Sequence, residues 1–152
     1  MKTIEEYVTA LIDELKEEKS ETISVSLPND DYCEYLKSTL FTTDPERQEK
    51  RLNRRISDAE RNKNYILENY NEMIEKGKVA GIVWKDINFE KFDAKQEKID
   101  GIESIQKLIL HFTHSDIKYK IQISDVMLTD ENYVITNILF PLLDMTNRKV
   151  LN

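Results

Sequence analysis

The stretch LILHFTHSDIKYKIQIS, residues 108–124, decides how the chain is read. Leu108, Leu110 and Phe112 alternate with other residues. After THSD, Ile117, Tyr119, Ile121 and Ile123 alternate with Lys118, Lys120 and Gln122. A period of two is the signature of strands with one buried face, so the stretch reads as two antiparallel strands joined by a short turn. It also carries both histidines of the chain, His111 and His114, three residues apart. On a helix that spacing would put them on one face as a metal or acid–base pair, whereas on a strand it points them to opposite faces. The strand reading therefore dissolves the pair. His111 belongs on the outer face beside Lys107 and Ile109, His114 at the hairpin tip, and both are expected in structural or solvated roles.

Further strands flank this hairpin. KDINFEKFDA (85–94) alternates Ile87 and Phe89, SIQKLILHFTH (104–114) extends the first strand of the hairpin, and NYVITNILF (132–140) is apolar at nearly every position. KQEKIDG (95–101) and LTDEN (128–132) read as turns. A four-stranded antiparallel meander is expected over residues 86–140. Its third strand breaks phase, because Ile123 would be followed inward by Asp125 while Val126 and Leu128 are the apolar residues. A bulge near Ser124–Asp125 repairs this. Were the bulge to turn Asp125 inward, an apolar surround would raise its pKa and make it a candidate base. The fourth strand is apolar on both faces, so one face should meet helices and the other should need a cover.

Helices are expected before the sheet. Thr3 and Glu6 have capping-box spacing ahead of Ile4, Val8, Leu11, Ile12 and Leu15, an amphipathic stripe over roughly 4–18. TISVSLP (22–28) alternates Ile23, Val25 and Leu27 and reads as a short strand or extended link ending at Pro28. Asn29 or Asp30 then caps a short helix carrying Tyr32, Leu36 and Leu40. TDPER is the sharpest local signal: Asp44 suits an N-cap, Pro45 the first helical position, and Glu46 the positive end of the dipole. The stripe Leu52, Ile56, Ala59, Ile66, Tyr70 and Met73 carries this helix to Gly77 as its C′ residue, with a kink or break expected near Asn62–Asn64. The class is α+β in one domain, 1–152: an acidic helical segment 1–44, a long helix 45–77 and a sheet 86–140.

With 39% apolar and 34% charged residues, the core should be thin and the surface heavily charged. Three glycines and three prolines leave no room for low-complexity disorder or a glycine-rich phosphate loop. The net charge of −7 is concentrated: residues 1–44 hold 4 basic and 11 acidic side chains, 45–77 hold 8 and 7, and 78–152 hold 10 and 11. Acidity of this kind disfavours general nucleic-acid binding and attracts basic partners. No apolar run approaches the roughly 18 residues of a membrane helix. Acidic residues interrupt the N-terminal stretch where an export signal would lie, so a cytoplasmic location and no membrane partner are expected. A single cysteine, Cys33, excludes an internal disulfide.

Four constellations remain. Cys33 in NDDYCEY sits among Asp30, Asp31 and Glu34, which oppose a thiolate, so it is expected as a buried structural residue. Arg47, Lys50, Arg51, Arg54 and Arg55 form a basic band opposite the Leu52/Ile56/Ala59 stripe. It reads as a solvated helix face with pairs such as Glu46–Lys50 and Arg54–Asp58, the alternative being an anion contact. Tyr65, Tyr70, Trp84, Tyr119 and Tyr133 are expected where the long helix crosses the sheet, as core or as the lining of a small-ligand pocket. Motifs for nucleophile elbows, P-loops, dinucleotide folds and zinc proteases are absent. No cofactor, metal site or catalytic residue is expected.

The order of a long helix, then GKVAGIVWKDINFEKF with Gly77, Gly81, Ile82 and Trp84, then YKIQISDVMLTDENYVITNIL resembles small bacterial helix-plus-sheet proteins of cystatin-like and nuclear-transport-factor-two-like type. The resemblance covers about residues 62–140. It implies a helix lying in the concave face of a curved sheet. That superfamily includes enzymes, ligand binders and protein-binding modules, so no single function follows. Its isomerase-type members use an acidic base and a tyrosine inside the cone, and neither maps onto this sequence by motif. The leading expectation is a non-enzymatic interaction module that binds a protein through its sheet or its acidic N-terminal region, or forms a homodimer through the sheet face. The alternatives are an immunity-type inhibitor of a basic toxin or nuclease, and a small-molecule-binding or cone-type enzyme domain.

Overall fold

The computed structural model describes residues 3–39, 44–99, 101–129 and 132–151. Leu40 of the short helix, Asp100 of one expected turn and Asp130–Glu131 of another lie outside them. Helix α1, Ile4–Glu17, starts at the expected cap, where the Thr3 hydroxyl accepts from the Glu6 amide. Its stripe, Val8, Leu11, Ile12 and Leu15, is buried together with Tyr7.

The TISVSLP stretch is helical rather than extended: α2 runs Glu21–Val25. The cause is tertiary. Both carboxylate oxygens of Glu14 accept from the Thr22 amide at 2.7 and 2.9 Å, capping a turn that propensity alone would not nucleate. Ile23 is fully buried, while Val25, which an alternating strand would have placed beside it, is 67% exposed. Helix α3, Asp30–Thr39, begins where the Asn29 side chain accepts from the Tyr32 amide.

Helix α4, Pro45–Val79, opens at Asp44, whose carboxylate accepts from the Glu46 and Arg47 amides. It is one continuous element of 35 residues, about 52 Å long, with no break at Asn62–Asn64. It also runs past Gly77. The glycine is buried inside the last turns, because the indole of Trp84 folds back onto it and donates from Nε1 to the Ile74 carbonyl at 3.0 Å. Gly77 is there for close approach and Ala80 caps the helix. A Cβ at position 77 would overlap the indole ring. Gly77→Ala should therefore lower stability by about 1–2 kcal/mol in urea titrations, because overpacking outweighs the gain in helix propensity. The gain of up to about 1 kcal/mol usual for such a change at an open helix site would show the contact to be loose.

Among the described residues the sheet has six strands, not four. β1, Asn88–Ile99, β2, Ile102–His114, and β3, Ile117–Leu128, form two long antiparallel hairpins. β1 runs through most of KQEKIDG, and the turn is left to the residues around Gly101, whose φ is +82°. The polar residues Lys95–Lys98 carry no strand pattern. They are extended because their backbone pairs with β2 along an edge. Of the stretch read as a fourth strand, 132–140, only three residues are strand, and two further strands follow beyond it. β4, Tyr133–Ile135, pairs with Val126–Leu128 of β3. β5, Leu142–Asp144, pairs with Tyr119–Ile121 of the same edge and turns back into β6, Lys149–Val150. Between β4 and β5, residues 136–141 stand against only residues 122–125 of β3. Two extra residues must leave the ladder, and Asn69 of α4 holds the excursion by donating to the Ile138 carbonyl.

The expected phase change occurs at Asp125, where φ is +57°. Asp125 is exposed, so it is no inward base. Ser124 and Asp125 both turn outward and Val126 returns to the core. β2 changes phase at the same level, around Gln106, so the β2–β3 register is unbroken, and a register shift falls between β1 and β2 at Lys95/Gln96, with a second one at Phe89/Lys91.

Two apolar clusters follow. The larger joins α1, Ile66, Tyr70, Met73 and Ile74 of α4, and the inward residues of β2, β3 and β5. The smaller joins Tyr32 and Leu36 of α3, Ala59 of α4, Ile102 and Val134. Adjacent residues of β4 enter different clusters: Tyr133 and Ile135 the larger, Val134 the smaller. Successive strand residues point to opposite faces, so the two clusters lie on opposite faces of the sheet at this end. The long helix serves both, its first half on one face and its second half on the other. The cover that the apolar fourth strand needs is thus supplied at β4 from within the chain.

Candidate functional site

The interior aromatics are packed. Trp84, Phe112 and Tyr119 form a column with ring centroids 5.6 and 5.3 Å apart. Tyr133 stacks on Tyr7 at 4.5 Å, and Tyr70 meets Phe140 edge-on at 5.7 Å. Two of the polar tips have protein partners: the Tyr7 hydroxyl shares a hydrogen bond with Ser26, and Tyr70 donates to the Lys19 carbonyl. Burial raises the phenols of Tyr7 and Tyr70 well above the ordinary tyrosine range, which keeps them protonated. Burial also raises Tyr119, and the neighbouring Asp144 adds to it. Tyr65, expected among these rings, is 52% exposed on α4. The principal clefts among the described residues are not lined by Trp84, Tyr119 or Tyr133.

The histidines part as strand geometry requires. His114 is buried, and its Nε2 accepts from the Val83 amide at 3.2 Å, so the hairpin end is pinned to the segment before Trp84. His111 stands on the other face with Nε2 2.8 Å from the Asp93 carboxylate. Cys33 is half-buried rather than buried. Burial and then Glu60 and Asp30 push its thiol up, away from a reactive thiolate. In the basic band Arg47, Lys50 and Arg54 are exposed, but Arg51 and Arg55 are half-buried, so the band is not uniformly solvent-facing. Arg55 lies beside Tyr32, where it partly offsets the larger effect of burial on that phenol. Asp58, the partner expected for Arg54, pairs with Arg61.

What the register assembles is the outer face of the sheet. Cross-strand partners share a face, so Lys91, His111, Lys120, Leu143 and Val150 form one row. Asp93, Ile109 and Gln122 form the next, then Lys95, Lys107 and Ser124, while Lys118 stands opposite Thr113 at the far end. Lys95 and Lys107 are directly opposed, an arrangement that costs stability unless something anionic faces it. Among the described residues none of Lys91, Lys95, Lys107, Lys118 and Lys120 makes an ion pair, and Asp93 is taken by His111. An acidic chain thus carries an open basic sheet face. The sequence displayed each lysine, but only register shows that residues from three strands share one surface. The signal available was the run of lysines at outward positions flanking both sides of the THSD turn.

Among the described residues no group of three or more His, Cys, Asp or Glu side chains is arranged to hold a metal ion, and no helix is long and apolar enough to cross a membrane. Compared with protein-family models, with curated proteins and with solved structures, the chain finds no match.

Proposed function

We propose that the protein is a non-enzymatic interaction module whose outer sheet face docks an acidic surface of another protein. The observation that carries this reading is the unpaired lysine array, Lys91, Lys95, Lys107, Lys118 and Lys120, around Ile109 and Leu143. Complementary charge speeds encounter and rejects wrong partners, while a small apolar centre supplies the contact that water leaves. A second copy pairing symmetrically through this face would set lysine rows against each other, which favours a different, acidic partner over the homodimer. Single-stranded nucleic acid is disfavoured because no Phe, Tyr or Trp stands among the described residues of that face to stack on bases.

A photoreactive amino acid placed at Ile109, with a control at the 87% exposed Val79, tests this in the native host. The expected result is an adduct at position 109 only, with a protein whose surface is acidic. Lys107→Glu combined with Lys120→Glu should cut its yield about tenfold, as should raising ionic strength from about 0.05 to 0.5 M. Equal labelling from Val79, an adduct between two copies of the chain, or one with nucleic acid would overturn the proposal.

A further inference from the structure

A cleft of about 310 Å³ opens where the first half of α4 and α3 meet the sheet, a size in the range of small-ligand sites. It lies on the same side of the sheet as the basic face, beyond the phase change at Asp125. Its composition differs sharply from that face. Its charged lining is Asp58, Glu97 and Asp125 against the single guanidinium of Arg55. Its floor is apolar, made by Ala59, Ile102 and Met127.

The cross-strand row Glu97–Ser104–Met127–Val134 explains how the lining is built. Val134 at one end of the row is packed among residues of α3 and α4, and Met127, Ser104 and Glu97 follow it along the row as lining of the cleft. Several groups here are already engaged: Asp58 with Arg61, and Asp125 with the Asn137 side chain at 3.3 Å. Two are not. Glu97 makes no ion pair or hydrogen bond to a described residue. Ser104 is only 8% exposed, yet its hydroxyl, directly opposite Glu97, has no hydrogen-bond partner among the described residues. Among the described residues no side-chain polar atom shut off from solvent lacks a partner, so the unpartnered Ser104 hydroxyl opens into the cleft it lines, within reach of a ligand that also meets Glu97.

We infer that this cleft binds a small aliphatic amine, its ammonium group held by Glu97 and Ser104 and its methylenes lying on Ile102 and Met127. The carboxylate excess favours a cation over an anion. The apolar floor favours an organic cation over a metal ion, and no metal-holding cluster occurs among the described residues. The inference is independent of the outer face and of any partner bound there.

Calorimetric titration of the full chain with spermidine is the test. Saturable one-site binding is expected, weakened about tenfold by Glu97→Gln and about three- to tenfold by Ser104→Ala. Glu90→Gln removes an exposed acid outside the cleft, so it controls for general attraction to a chain of net charge −7, and it should leave affinity unchanged. Unaltered thermal unfolding of the two cleft variants separates lost binding from lost fold. Equal weakening by Glu90→Gln, insensitivity to both cleft substitutions, or no binding at millimolar spermidine would overturn the inference.

Discussion

Trp84→Ala should destabilise the protein by about 3–5 kcal/mol, a large part of the total stability of a chain this size. Trp84 is 2% exposed, and it joins three elements that are distant in sequence. Its ring lies on Gly77 of α4, its Nε1 donates to Ile74, and its other flank begins the column through Phe112 to Tyr119 on β2 and β3. Removing it empties a space that a closed helix turn and two strands cannot collapse to fill. Urea unfolding followed by far-UV circular dichroism measures the loss, since the variant has no tryptophan left to report by fluorescence. The pair with Gly77 gives a sharper test. In the wild-type background Gly77→Ala is costly because the new methyl meets the indole. With Trp84→Ala already present the methyl has room, so the same change should become stabilising by about 0.5–1 kcal/mol. A cost for Gly77→Ala that stays the same in both backgrounds would show that the indole is not what the glycine accommodates.

Leu36→Ala should cost about 2–5 kcal/mol, and the loss should be local. Leu36 is fully buried in the smaller cluster, which ties α3 and the first half of α4 to Val134 and Ile102. The larger cluster draws on β4 too, and on the second half of α4 where the smaller uses the first, but the two share no side chains. Amide hydrogen exchange should therefore accelerate by one to three orders of magnitude in α3 and in residues 48–60, while residues 66–77 and the centres of β2 and β3 keep their protection. Uniform acceleration throughout would show the two clusters to be one cooperative unit. The prediction also bears on the cleft, whose Met127 and Ala59 floor belongs to or packs against this cluster.

Much of the architecture was legible from short-range patterns. The caps at Thr3, Asn29 and Asp44 are bonded as residue type and spacing indicated, because a cap is a contact between neighbours in sequence. The separation of His111 from His114 followed from strand period alone, and so did the phase change at Asp125. The failures have a common cause. TISVSLP alternates like a strand but becomes α2 because a carboxylate eight residues earlier, Glu14, caps it from another helix. NYVITNILF has uniform polarity, which holds no information about where a ladder must shed two residues, and its end at Ile135 and the restart at Leu142 follow the register of β3 and the bond from Asn69. Gly77 looked like a helix end, and only the returning indole shows why the helix passes through it.

By itself, then, the sequence determined the α+β class, the helix starts, the inward faces of the central hairpin and the absence of a shared histidine site, all of which depend on residues within one or two turns of each other. The tertiary structure decided which half of α4 covers which face, that five lysines from three strands share one open surface, and that Glu97 and Ser104 stand together in a cleft. Those are matters of register and crossing. A one-residue slip in pairing would exchange the two faces of every strand, and it is the packing of both clusters against the sheet that selects one register.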